Sequence, residues 1–133
     1  MSGTYDIYER LEASCERINL PVAEDASTHT VWRCWGDGPP IVLLHGDWGS
    51  WTHFIRNIDV LAARYRVLVP DMPGYGDSGF PPLDDVVVDS AVIMTADIDK
   101  LIGKNVDYDI VGFSYGGIHA GQPPGNSGAA TTI

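Results

Sequence analysis

Three short apolar runs, each ending in a glycine-containing polar stretch, constrain this chain more than any other feature. Ile41–Leu44 leads into His45-Gly46-Asp47-Trp48-Gly49-Ser50, Tyr65–Val69 into Pro70-Asp71-Met72-Pro73-Gly74-Tyr75-Gly76-Asp77-Ser78-Gly79, and Tyr108–Gly112 into Phe113-Ser114-Tyr115-Gly116-Gly117. Ile41–Leu44 is uninterrupted, as a strand needs when both faces of its sheet are covered, and the other two runs are apolar apart from Arg66 and Asp109. Helical spacing fills the gaps between the runs. Over 51–64 the residues Trp51, Phe54, Ile55, Ile58, Leu61 and Ala62 share one face. Over 89–102 Ala91, Met94, Ile98, Leu101 and Ile102 do so, with Gly103 placed to cap the helix. That face leaves Asp97 and Asp99 on the solvated side. Strand–helix–strand–helix–strand predicts right-handed crossovers and an α/β fold: a mostly parallel sheet with helices on both faces.

Upstream, Ile7, Leu11, Cys15 and Ile18 fall at helical spacing, which predicts an amphipathic helix over 5–17. Pro21 and the polar run 23–28 break the pattern. Thr30–Trp35 is β-branched and aromatic, the composition of a strand, and 36–40 is a turn.

Composition bounds the functional classes. The 133 residues suffice for one compact domain with a core, and the formal charge of -10 argues against binding a nucleic-acid backbone. No apolar run reaches bilayer length, so no membrane role is expected. The first residues lack the basic and apolar regions of a signal peptide, which makes the cytoplasm the expected location. Cys15 and Cys34 fit that compartment as two thiols. His29 and His53 lack ligand spacing, so no metal is expected.

The chemistry concentrates at Gly112-Phe113-Ser114-Tyr115-Gly116. A serine hydroxyl becomes a useful nucleophile only when it is exposed and a neighbour takes its proton. A sharp turn from strand to helix lifts Ser114 out at the carboxyl end of the sheet. Such a turn crowds the backbone, which explains glycine at 112 and 116. A helix starting just after the serine would point unpaired N–H groups at developing negative charge.

This stretch resembles the nucleophile elbow of the α/β-hydrolase superfamily, in its serine hydrolase or esterase-like branch. Two further stretches are similar to that family: His45-Gly46 after the first apolar run and Asp71-x-Pro-Gly-x-Gly after the second. The resemblance implies Ser114 as nucleophile. It implies an oxyanion hole formed by the backbone N–H of Tyr115 and that of Asp47 or Trp48. His45 would brace the loop, with Asp47 turned away from the oxyanion. A small ester-like substrate and no cofactor follow. A serine at the elbow points away from the dehalogenase and epoxide-hydrolase branches, which carry aspartate there.

Gly74-Tyr75-Gly76-Asp77-Ser78-Gly79 also fits the dinucleotide pattern Gly-x-Gly-x-x-Gly, with Asp97 near the usual acidic spacing. That pattern binds a pyrophosphate only if it opens directly into a helix. Phe80-Pro81-Pro82 follows instead, and proline opposes helix at the preceding residue. Nucleotide binding is therefore not expected.

After Ala120 the chain is small, polar and rich in Gly and Pro. The expected organisation is the amino-terminal half of a hydrolase domain over 1–121 and a disordered tail over 122–133. No Asp or Glu follows Ser114, and the one later histidine, His119, would lie on the same short helix, pointing away from the serine. A weakly active or inactive hydrolase is the primary expectation. The alternative is a non-catalytic hydrolase-like fragment or pseudoenzyme that binds a partner. That reading would leave the strand 108–112 at an open sheet edge, with self-association as the expected behaviour.

Overall fold

The computed structural model describes residues 4–22, 25–46, 49–79, 86–112 and 127–132. Their order is α1 (Thr4–Ser14), β1 (Glu16–Val22), β2 (Asp25–Trp35), β3 (Pro40–Leu44), a 3₁₀ turn (Trp51–Phe54), α2 (Ile58–Ala62), β4 (Arg66–Asp71), α3 (Val86–Leu101), β5 (Tyr108–Gly112) and β6 (Ser127–Thr132). One six-stranded sheet runs β1-β2-β4-β3-β5-β6. The expected α/β architecture is present, with β3, β4, β5 and β6 parallel to one another. The sheet is mostly parallel as expected, and its antiparallel part is the hairpin of β1 and β2, which adds to β4.

Side-chain alternation divides the core between the two faces. Trp32, Cys34, Val42, Leu44, Leu68 and Ile110 point to one face, where Met94 and Ile98 of α3 cover them. Trp35, Ile41, Leu43, Val67 and Val69 point to the other, under Leu11 of α1 and Trp51, Phe54 and Ile58. Each large side chain buried this way contributes about 1.5–3 kcal/mol. Gly103 ends α3 as its spacing predicts, with φ +105 and its N–H on the Asp99 carbonyl at 3.0 Å.

Four local expectations are corrected. The amino-terminal helix stops at Ser14, and Ile18 and Leu20 belong to β1, where they alternate inward with period two. Ile18 suits either period, and pairing with β2 decides it. The expected helix over 51–64 is divided into the 3₁₀ turn and α2. Backbone bonds from Ile55 to Thr52 and from Asn57 to Phe54 are of the i to i−3 kind, and the Trp51 N–H is drawn off to the Asp71 carboxylate. Within the expected disordered tail, 127–132 is a strand. The unpaired groups along β5 require partners, and β6 supplies them in parallel register, Ile110 opposite Ala130. β5 is consequently interior, between β3 and β6, so the open edge that motivated the partner-binding alternative does not lie there.

Asp97 is the fourth correction. It is 2% exposed rather than solvated. Its Oδ2 accepts the Thr30 hydroxyl at 2.5 Å and the Trp32 indole N–H at 2.8 Å, tying α3 to β2. Burial raises its pKa, against the two hydrogen bonds, which lower it. The sign of the linkage follows. A carboxyl whose folded pKa is raised contributes most below its unfolded value, near 4, and loses that contribution as pH rises. Asp97→Asn keeps an acceptor oxygen without a charge. Urea unfolding should find its stability relative to the unsubstituted chain increasing from about pH 4 to pH 7. Asp97→Ala should lose about 1–3 kcal/mol at neutral pH by stranding two buried donors.

Candidate active site at the carboxyl ends of β3, β4 and β5

Leu44 pairs with Gly112 in the β3/β5 ladder. The residues that follow each strand therefore leave the sheet side by side. His45 and Gly46 lie at that end of β3, Asp71 at that end of β4, and Gly112 closes β5. Asp47, Trp48, Ser114, Tyr115 and Gly116 lie outside the described residues, as does His119.

His45 is fully buried. Its Nε2 accepts the Met72 N–H at 2.8 Å, which leaves the ring proton on Nδ1 to donate to the Gly46 carbonyl at 2.7 Å. One imidazole thus ties the loop after β3 to the loop after β4. The Tyr75 ring packs edge-on against it at 5.5 Å. With its Nε2 lone pair engaged by Met72, His45 has the bonding of a brace rather than of a proton acceptor for a hydroxyl.

Asp71 does comparable work from β4. One carboxylate oxygen accepts the Trp51 N–H at 2.9 Å, and the other accepts the Asp77 N–H at 3.0 Å and Arg33 Nη1 at 3.1 Å. Its carbonyl accepts the Ser78 hydroxyl at 2.6 Å, and that hydroxyl oxygen accepts the Val31 N–H at 2.9 Å. The Asp-x-Pro-Gly-x-Gly stretch acquires a physical meaning here. The loop folds back over the carboxylate, and Gly76 passes so close that a Cβ would lie 2.4 Å from Asp71 Cγ. Gly76 also has φ +53, which glycine adopts without strain.

Arg33 completes the cluster and was not legible as a site residue. It is 2% exposed, with Nε on Glu12 at 2.9 Å, Nη1 on Asp71 and Nη2 on Asp77 at 2.7 Å. Its guanidinium carbon stands 5.1 Å from the Trp51 ring centre. Burial works against its charge, but its hydrogen bonds to the Glu12 and Asp77 carboxylates and the Asp71 charge outweigh burial and raise its pKa. The Asp77 carboxyl is correspondingly lowered, first by its hydrogen bond to Arg33. The available signal was a lone cation inside the aromatic strand Val31-Trp32-Arg33-Cys34-Trp35.

His53 was set aside as a metal ligand, and among the described residues no cluster of His, Cys, Asp and Glu could hold an ion. It has another place: its Nδ1 accepts the Gly46 N–H at 3.2 Å. An apolar cavity of about 600 Å³ lies beside it, lined by Leu43, Phe54, Leu61 and Val111 among others. The two cysteines divide between the faces, Cys34 in one core cluster and Cys15 against the other, and both are free thiols. Burial pushes the Cys34 thiol up to about 12, which leaves it unreactive.

Comparison with known proteins gives a consistent result. A family model described as "Alpha/beta hydrolase family" matches residues 41–132. A pimeloyl-[acyl-carrier protein] methyl ester esterase of Vibrio campbellii is 32% identical over 95 residues, 71% of this chain and 34% of that protein. A soluble epoxide hydrolase of Corynebacterium sp. is 34% identical over 85 residues, 62% of this chain and 28% of that protein. The solved naproxen esterase of Bacillus subtilis superposes with a TM-score of 0.77 at 25% identity, covering 96% of this chain and 47% of its own. The chain thus spans about a third of the length of these two curated relatives.

Two substitutions test the cluster. Asp71→Ala should cost about 3–5 kcal/mol in urea unfolding, because it leaves the buried Arg33 charge without its one fully buried carboxylate partner among the described residues. Gly76→Ala should cost about 1–3 kcal/mol from backbone strain, with more added by the collision with Asp71.

Proposed function

The chain belongs to the alpha/beta hydrolase family, and from that premise we propose that it carries the nucleophile-bearing part of a serine hydrolase acting on an ester or related acyl bond. The observation that carries the reading is Ser114 in Gly112-Phe113-Ser114-Tyr115-Gly116, directly after a strand whose last residue pairs with the residue before His45-Gly46.

Reaction chemistry separates this reading from the epoxide-opening and dehalogenating activities named among the relatives. Those reactions displace a leaving group at an alkyl carbon. A carboxylate nucleophile then forms an ester, which water can cleave. A serine alkoxide would form an ether, which water cannot cleave under these conditions. At an acyl carbon the same serine forms an ester intermediate that hydrolysis releases. Ser114 therefore favours acyl substrates. In the proposed step the Ser114 oxygen attacks the carbonyl carbon and the hydroxyl proton passes to a base. The backbone N–H of Tyr115 and that of Asp47 or Trp48 hold the oxyanion. His45, Gly46, Gly112 and Gly116 shape the two loops that bring these groups together.

In the proposed triad the acid and the histidine follow the nucleophile in chain order, and these 133 residues hold no such pair after Ser114. No Asp or Glu follows Ser114, and His45 already spends Nε2 on Met72. Triad-dependent turnover by this stretch alone is therefore expected to be weak or absent.

Two measurements test the reading. The 133-residue chain should hydrolyse p-nitrophenyl acetate no faster than its Ser114→Ala variant, and a large serine-dependent rate would overturn the claim of a missing base. In a chimera that adds the remaining segments of the 32%-identical esterase, a fluorophosphonate should label Ser114, and Ser114→Ala should lower kcat by at least about 10³-fold. Equal labelling of the Ala variant would refute the nucleophile assignment.

A further inference from the structure

The two outermost strands of the sheet are built differently. At one end, β1 carries features that blunt a strand against pairing with another chain. Pro21 has no N–H, the register with β2 shifts between Pro21 and Val22, and Glu16 and Arg17 place exposed charges on the strand. At the other end lies β6, Ser127–Thr132, which contains no charged residue and no proline. Its register with β5 skips once at the start, where Tyr108 faces Ser127 and Asp109 faces Ala129, and it is regular from Ala129 to Thr132.

Among the described residues β6 pairs with β5 and with no second strand. Successive residues of a strand direct their N–H and C=O groups to opposite sides, so half of these groups in β6 bond to β5 and the other half face outward. An outward row of that kind is a template for one more strand. Charge selects which strand. The chain has a formal charge of -10, so two copies repel one another over most of their surface. A β6 strand set against another β6 brings no charged residue of either strand into opposition. Antiparallel pairing of identical strands also places each outward donor and acceptor opposite a complementary group.

We propose that the outer edge of β6 is an interface for a second copy of this chain, the two β6 strands pairing antiparallel about a twofold axis to make one continuous sheet. An isologous contact consumes the same edge in both copies. With β1 blunted at each far end, association stops at the dimer. The interface uses neither Ser114 nor the loops after β3 and β4, so it stands or falls separately from the hydrolase reading.

Sedimentation equilibrium of the 133-residue chain should show a monomer–dimer equilibrium with no larger species. Amide exchange by NMR at low and high protein concentration gives the pattern that assigns it. Over 129–132, the amides directed to β5 should be protected at both concentrations. The intervening amides should gain protection only where the dimer is populated. Ala129→Pro and Ala130→Pro remove donors from opposite sides of β6. One of the two should keep cooperative urea unfolding and weaken dimerisation by at least about tenfold, the factor that one or two net hydrogen bonds support. Glu16→Lys, on β1, should leave the dimer unchanged. A monomer at every concentration overturns the proposal, and so does protection of all four amides in the monomer, which would mean that the chain covers this edge itself. Mass that climbs beyond the dimer, or a dimer whose formation leaves the 129–132 amides unaffected, overturns it equally. If both proline variants fail to fold, the concentration dependence of exchange in the unsubstituted chain decides alone.

Discussion

The Arg33–Asp71 contact joins parts of the chain that nothing local would bring together. Arg33 comes from the middle of β2 and Asp71 from the end of β4, two strands already paired antiparallel. Around that contact gather Glu12 of α1, Asp77 of the loop after β4 and Trp51 of the 3₁₀ turn. Burying a guanidinium is costly unless every donor direction is met. Here Nε, Nη1 and Nη2 each meet a different carboxylate. One cation thereby obliges a helix, a loop and two strands to adopt fixed relative positions.

The brace at His45 stands on this arrangement. Met72 N–H reaches the imidazole because Asp71 has already fixed the end of β4. Gly46 is then fixed by His45 on one side and His53 on the other. The hierarchy runs from a buried ion pair, through a strand end, to the loop on which acyl chemistry would depend. Buried, bonded networks of this kind rigidify what they touch, which the proposed acyl chemistry would require of that loop.

Parts of the molecule that depend on local pattern were legible in the sequence. β5 runs over Tyr108–Gly112, as its apolar run bounded by polar turns indicates, and β3 differs from expectation only by Pro40. The inward faces of both intervening helical segments were also readable, since period alone specifies them. What escaped was decided at long range. Ile18 fits a helix as well as a strand until β2 lies beside it. Residues 127–132 are too small and polar to announce a strand, and they form one because β5 leaves a ladder to complete. Asp97 looks solvated on a helical wheel, but two donors from β2 await it in the core. The motif glycines could be recognised by likeness, whereas the reason for Gly76 is a carboxylate five residues upstream that folds back against it.

The order β4-β3-β5 carries a consequence of its own. From β3 the chain steps to one side to make β4, then crosses back over β3 to make β5. The first connection packs on one face of the sheet and the second, through α3, on the other. A reversal of strand order of this kind makes a topological switch point between β3 and β5, where open α/β sheets leave a crevice. That hollow is a product of connectivity and handedness, and it would exist with alanine at position 114. Evolution of a catalyst on this frame needs only to furnish the tips of strands that already face a gap. The same frame can therefore host relatives named as an esterase, an epoxide hydrolase and a haloalkane dehalogenase.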